Sequence, residues 1–107
     1  MAKLNLNPGE TIVGSGPMAL YLKQGLGRKP FSGDIFVTNQ RVCFKISMMP
    51  GDPDMNLTLE EVKGFSVKKG LITQVSIHSK AGEVFPLTGF PVKKLQDWLR
   101  QVGVQEL

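Results

Sequence analysis

A chain of 107 residues, 41% hydrophobic and 21% charged, has the size and balance of a single folded domain, which argues against disorder and against a second core. Its net charge of +4 tilts it only mildly towards anionic partners. One cysteine, Cys43, excludes an intramolecular disulfide and any cysteine-rich metal site.

No apolar run approaches the ~20 residues of a membrane-spanning helix. The first residues, Met1 to Asn5, lack the apolar core of a secretion signal, and Ala2 stands where myristoylation requires glycine. Together with a thiol inside the apolar run Val42 to Ile46, these features predict a cytoplasmic chain with a buried free cysteine.

Thr11 to Val13 and Met18 to Leu22 read as the first two strands, divided by the turn-forming Gly14-Ser15-Gly16-Pro17. Gly25-Leu26-Gly27-Arg28-Lys29-Pro30 reads as a flexible loop. Asp34 to Thr38 and Arg41 to Ser47 form a hairpin joined through Asn39-Gln40. Its second strand places Val42, Phe44 and Ile46 on one face and Arg41, Cys43 and Lys45 on the other.

Two prolines and a glycine stop any strand between Met48 and Asp54. Leu57 and Leu59 then alternate with polar residues, and Glu60-Glu61 turns the chain towards Val62, Phe65 and Val67. Ile72 to Ser79 and Glu83 to Leu87 make a further hairpin around Lys80-Ala81-Gly82, with glycine at the left-handed position. From Pro91 to Val102 the period changes. Val92, Leu95, Trp98, Leu99 and Val102 form a helical stripe, Gly103 follows its end, and Lys93 is spaced to pair with Asp97. The expectation is one domain over residues 1–107, mostly β, with roughly seven short antiparallel strands in a sandwich or barrel and one C-terminal helix.

That order is the layout of the pleckstrin-homology superfold, and the sequence resembles its GRAM-type, bacterial PH-like branch. Val37-Thr38-Asn39-Gln40-Arg41-Val42-Cys43-Phe44 is similar to that family's L-T-N-x-R-L-x-F hairpin. Pro8 to Val13, Leu57-Thr58-Leu59-Glu60-Glu61-Val62 and Gly82-Glu83-Val84-Phe85 resemble its opening, middle and late segments, so the likeness spans nearly the whole chain. The resemblance implies a PH-like barrel or sandwich of two sheets, working as a binding or scaffolding module at membranes or on proteins. The central motif is read as structural, with Thr38 and Asn39 serving the turn and Arg41 reaching a carboxylate. Members that grip inositol phosphates carry several basic residues around the first hairpin loop. Gly14 to Pro17, taken as that loop, carries none.

Other motifs have bland explanations. Gly14-x-Gly16-x-x-Ala19 matches a dinucleotide fingerprint but lacks alternating strands and helices, and stays as a remote nucleotide-binding alternative. Gly25 to Lys29 lacks the phosphate-loop spacing. Asp52 and Asp54 are too few oxygens for calcium. His78, the one histidine, shares an outward face with Gln74 and Ser76, and no elbow or second histidine accompanies it. No catalytic, cofactor or metal residue is expected, and the charged runs lack the stacking aromatics of a nucleic-acid site. The leading expectation is a noncatalytic module making peripheral contact with an anionic membrane surface or a partner protein through Lys23, Arg28, Lys29, Lys68 and Lys69. Met48, Met49 and Met55, around the proline-rich loop, are the candidates for a protein interface. Self-association as a structural scaffold is the alternative.

Overall fold

In the computed structural model the described residues are 4–107. The features read from Met1 to Lys3 lie outside them. Seven strands occur: β1 (Ile12–Gln24), β2 (Gly27–Thr38), β3 (Arg41–Ile46), β4 (Met55–Thr58), β5 (Val62–Lys68), β6 (Gln74–Ser79) and β7 (Val84–Thr88). A helix, α1 (Val92–Gln101), follows. The strands make one seven-stranded sheet in the order β4-β3-β2-β1-β7-β6-β5. The two sheets expected from the resemblance are therefore two antiparallel meanders of one open sheet, joined where β1 meets β7. That seam consists of the pairs Ala19–Thr88 and Leu20–Leu87.

β1 and β2 are longer than their sequence suggests. Gly14 to Pro17 does not break the chain into two strands; β1 runs through it, paired with β2 from Gly14–Val37 to Gln24–Gly27. The reason lies in the helix. A side chain at Gly14 would come within 2.1 Å of the Trp98 ring, and one at Gly16 within 3.2 Å of Pro91. The glycines are there to let α1 lie against the strand. Pro17 is tolerated because β7 joins β1 only from Ala19 onwards, leaving a strand on one edge alone at this level. The dinucleotide reading is overturned by the same strand, which leaves no turn or following helix to hold a pyrophosphate. The flexible loop expected over Gly25 to Pro30 shrinks to Gly25-Leu26, since Gly27 to Pro30 already belong to β2.

The core lies between the inner sheet face and α1. Leu20, Ile35, Val42, Phe44, Phe65, Val75, Ile77 and Leu87 meet there with Leu95 and Leu99 of the helix. Burying each such side chain contributes roughly 1.5–3 kcal/mol. The helical stripe is as the period predicts, with Pro91 at its start and Gly103 (φ 86°) past its end. The Lys93–Asp97 pair does not form; Asp97 lies 3.6 Å from Arg100 instead. Past Gly103 the chain runs beside β5. Phe65 N donates to Gln105 O (2.9 Å) and Leu107 N to Phe65 O (2.7 Å), covering part of that edge. Gly64 permits the approach, for a side chain there would strike Gln105 O at 2.7 Å.

Candidate functional site: a basic cleft at the first hairpin

The Thr38–Arg41 turn is organised for structure. Arg41 Nε and Nη2 donate to the Glu10 carboxylate at 2.8 and 3.0 Å, and Thr38 Oγ1 donates to Glu10 Oε2 at 2.6 Å. Asn39 and Gln40 tie the same turn to Gly9 and Pro8. The Arg41 guanidinium is the main reason that Glu10 is pulled down to about 2, against an opposing contribution from burial. Arg41 finds the carboxylate expected of it. Its strand face, with Cys43 and Lys45, points away from the core as alternation requires. It is nevertheless buried, because the segment from Leu4 to Glu10 and the loop after β3 fold over it.

Cys43 and His78 are not brought together. Burial pushes the Cys43 thiol up to about 11, and it donates to Asn56 Oδ1 at 3.3 Å. His78 lies on β6, half-buried rather than solvent-facing, with Nε2 2.8 Å from Ser66 Oγ. β3 and β6 are not neighbours in the sheet. Asp54 accepts from Ile46 N at 2.8 Å and so anchors the loop after β3. Among the described residues no group of three His, Cys, Asp or Glu side chains is placed to hold a metal ion.

The five basic residues picked from sequence do not form one patch. Lys23 is paired with Arg28 across the β1–β2 hairpin, and Lys29 is the next residue of β2. Lys68 pairs with Gln74 at the other end of the sheet, where β5 finishes and β6 begins. Pairing settles the separation: Arg28 reaches Val84 at the start of β7, whereas Lys68 lies beyond the Val75–Leu87 pair towards its finish.

The hairpin end is the more elaborate of the two. Its tip, Gly25-Leu26, presents Leu26 fully exposed, with Gly25 in the left-handed region (φ 59°). Behind the tip β1 and β7 splay apart below their two-rung seam, opening a cleft of about 330 Å³ between Tyr21, Lys23 and Arg28 on one wall and Gly82 to Phe85 on the other. Arg28 Nη1 spans it, donating to Val84 O at 3.3 Å and to Tyr21 O at 3.5 Å. Both bonds use one nitrogen, so the other guanidinium donors are left for an incoming anion. Glu83 sits on the far wall and balances part of this charge.

Of the methionines, Met48 is fully exposed with φ 62° and Met49 is half-exposed, at the edge of the loop after β3. Met55 is not available to a partner. It is 2% exposed in the core, because it pairs with Phe44 on the inner sheet face.

No protein-family model and no curated protein matches this sequence. Solved structures do match. The N-terminal PH domain of Vps36 superposes with a TM-score of 0.70 at 19% identity, covering 92% of this chain and 83% of that one. The fold is PH-like. A C-terminal domain of an unknown protein from Leishmania infantum matches with a TM-score of 0.67 at 16% identity over 89% of this chain and 86% of that one. At these identities the likeness concerns the PH-like fold, and the functional surfaces have to be read from this chain's own residues.

Proposed function

We propose that this chain is a noncatalytic binding module of the GRAM-type branch, docking on an anionic membrane surface through its β1–β2 hairpin. The observation that carries the reading is Leu26, fully exposed at a two-residue tip, with Lys23, Arg28 and Lys29 on the strands just behind it. An apolar tip can enter the interfacial layer while cations behind it meet lipid head groups, at around 1 kcal/mol per cation near an anionic surface. The remaining Arg28 donors suit bidentate recognition of a head-group phosphate. Lys68 and Lys69, at the far end, cannot approach the same plane and take no part. No helix among the described residues is long and apolar enough to cross a membrane.

Co-sedimentation with vesicles of phosphatidylserine and phosphatidylcholine, against phosphatidylcholine alone, tests the reading. Binding confined to the anionic vesicles and weakened by salt is the expected result. Equal sedimentation with both, or with neither, refutes it.

A further inference from the structure

The sheet also opens above its seam. There β1 from Ser15 to Pro17, the Phe90-Pro91 turn and the first turns of α1 enclose a groove of about 530 Å³. Its surface is largely apolar, made by Pro17, Phe90, Pro91 and Trp98, and Lys93 and Lys94 stand beside it. Trp98 lies flat on the Gly14 backbone, which holds the indole in place while leaving part of it in the groove. Phe90 is fully exposed, an unusual position for a phenylalanine with no partner residue covering it.

Charge in this groove is one-sided. No carboxylate lines it. The nearest acidic group on the helix, Asp97, is turned to Arg100. The first helical turn has no acidic residue and no side-chain cap, so lysines occupy the end of the helix where negative charge is favoured. Among the described residues neither lysine forms an ion pair. Its walls come from three elements, β1, the Phe90-Pro91 turn and α1, so the apolar surface lies between elements and not on one protruding tip, which suits a chain segment better than a bilayer.

We infer that this groove receives an acidic peptide segment carrying one large apolar anchor. The anchor packs on Phe90 and Trp98 between Pro17 and Pro91, and flanking carboxylates meet Lys93, Lys94 and the free amides of the helix start. The surface is small, so micromolar affinity is expected, with most of the energy in the anchor. The site is separate from the tip of the β1–β2 hairpin and does not depend on how that tip acts.

Trp98 is the only tryptophan, so its emission reports on this groove alone. The experiment is selection of a randomised dodecapeptide phage library on the intact chain, followed by titration of the selected synthetic peptides while Trp98 emission is read. The expected result is enrichment of acidic peptides with a Phe, Trp or Leu anchor that shift Trp98 emission. Phe90→Ser, or Lys93→Glu with Lys94→Glu, should weaken them about tenfold or more. All three positions are at the surface, and circular dichroism confirms that the variants fold. Leu26→Ser should leave peptide binding unchanged. An absence of selected binders, or binders without acidic bias or indifferent to these substitutions, overturns the inference. So does capture of phosphatidylserine vesicles that depends on Phe90, which would assign the groove to lipid, or a dimer in light scattering abolished by Phe90→Ser, which would assign it to a second copy.

Discussion

Arg41 and Glu10 form a two-pronged ion pair, Nε to Oε2 at 2.8 Å and Nη2 to Oε1 at 3.0 Å, with the carboxylate side chain wholly shielded from solvent. The pair joins the residues before β1 to the β2–β3 turn, 31 positions later. Its geometry makes it sensitive to loss of one partner.

Arg41→Ala leaves the Glu10 carboxylate buried without its counter-charge, and should destabilise the chain by about 3–5 kcal/mol. Glu10→Leu combined with Arg41→Met should recover much of that loss, since replacing both partners removes the unpaired charge. Urea denaturation of the single and double variants checks both statements. A single variant within ~0.5 kcal/mol of the parent, the range of an ordinary surface substitution, would show the pair to be incidental.

The same pair sets an acid limit. Glu10 is held at about 2 in the folded chain against an ordinary 4.5. Below 4.5 the unfolded state therefore binds a proton that the folded state refuses. The stabilisation is fully present above pH 4.5 and is lost as pH falls through about 2, a change on the order of 3 kcal/mol for a shift of this size. Stability measured from pH 6 to pH 2.5, beside Glu10→Gln, should show a slope in the parent that the variant lacks.

Gly14→Ala drives a methyl into the Trp98 ring, where the gap is 2.1 Å. The helix must then move off β1, at a cost of about 1–3 kcal/mol as for other overpacked cores. Trp98→Leu in the same chain should restore part of the loss. Thermal unfolding distinguishes this from a simple effect of glycine on strand propensity, which Trp98→Leu would leave untouched.

The two basic ends should behave differently on anionic vesicles. Replacing Lys23, Arg28 and Lys29 with Ala should cut binding by on the order of a hundredfold at low salt, from ~1 kcal/mol for each cation. Lys68→Ala with Lys69→Ala should leave binding unchanged. Equal losses from the two sets would mean a diffuse electrostatic attraction with no preferred hairpin.

Cys43 should be inert in the folded chain. It is fully buried, and burial raises its thiol to about 11, so little thiolate exists at pH 8. Labelling by iodoacetamide should proceed only through opening of the fold and should accelerate with urea in step with global unfolding. Rapid labelling without denaturant would contradict the described burial.

The parts of the fold that were legible in the sequence depend on neighbours in the chain. Thr38-Asn39-Gln40-Arg41 marks its hairpin, Gly82 marks the turn before β7 with φ 95°, and the stripe from Val92 to Val102 marks the helix. Gly14 to Pro17 misled because glycine and proline signal turns locally, whereas here the glycines answer to Trp98 and Pro91, some eighty residues away. Alternation puts Arg41, Cys43 and Lys45 on the face away from the core, but what buries that face is the path of residues 4–10 and of the loop after β3, which alternation does not show. The candidate site was legible in its residue types and not in its grouping. Whether Lys23 and Lys68 meet is decided by strand order, which no local pattern carries.

The seam of Ala19–Thr88 and Leu20–Leu87 makes β1 the keystone of the molecule. Every strand from β2 to β4 reaches those from β5 to β7 through this one strand, and α1 braces it from the inner side. For anyone dividing the chain into complementing fragments, the usable cuts are the largely exposed connections 48–53 and 69–73, which lie outside every strand pairing. A cut inside β1 would leave two half-sheets with no shared spine on which to reassemble.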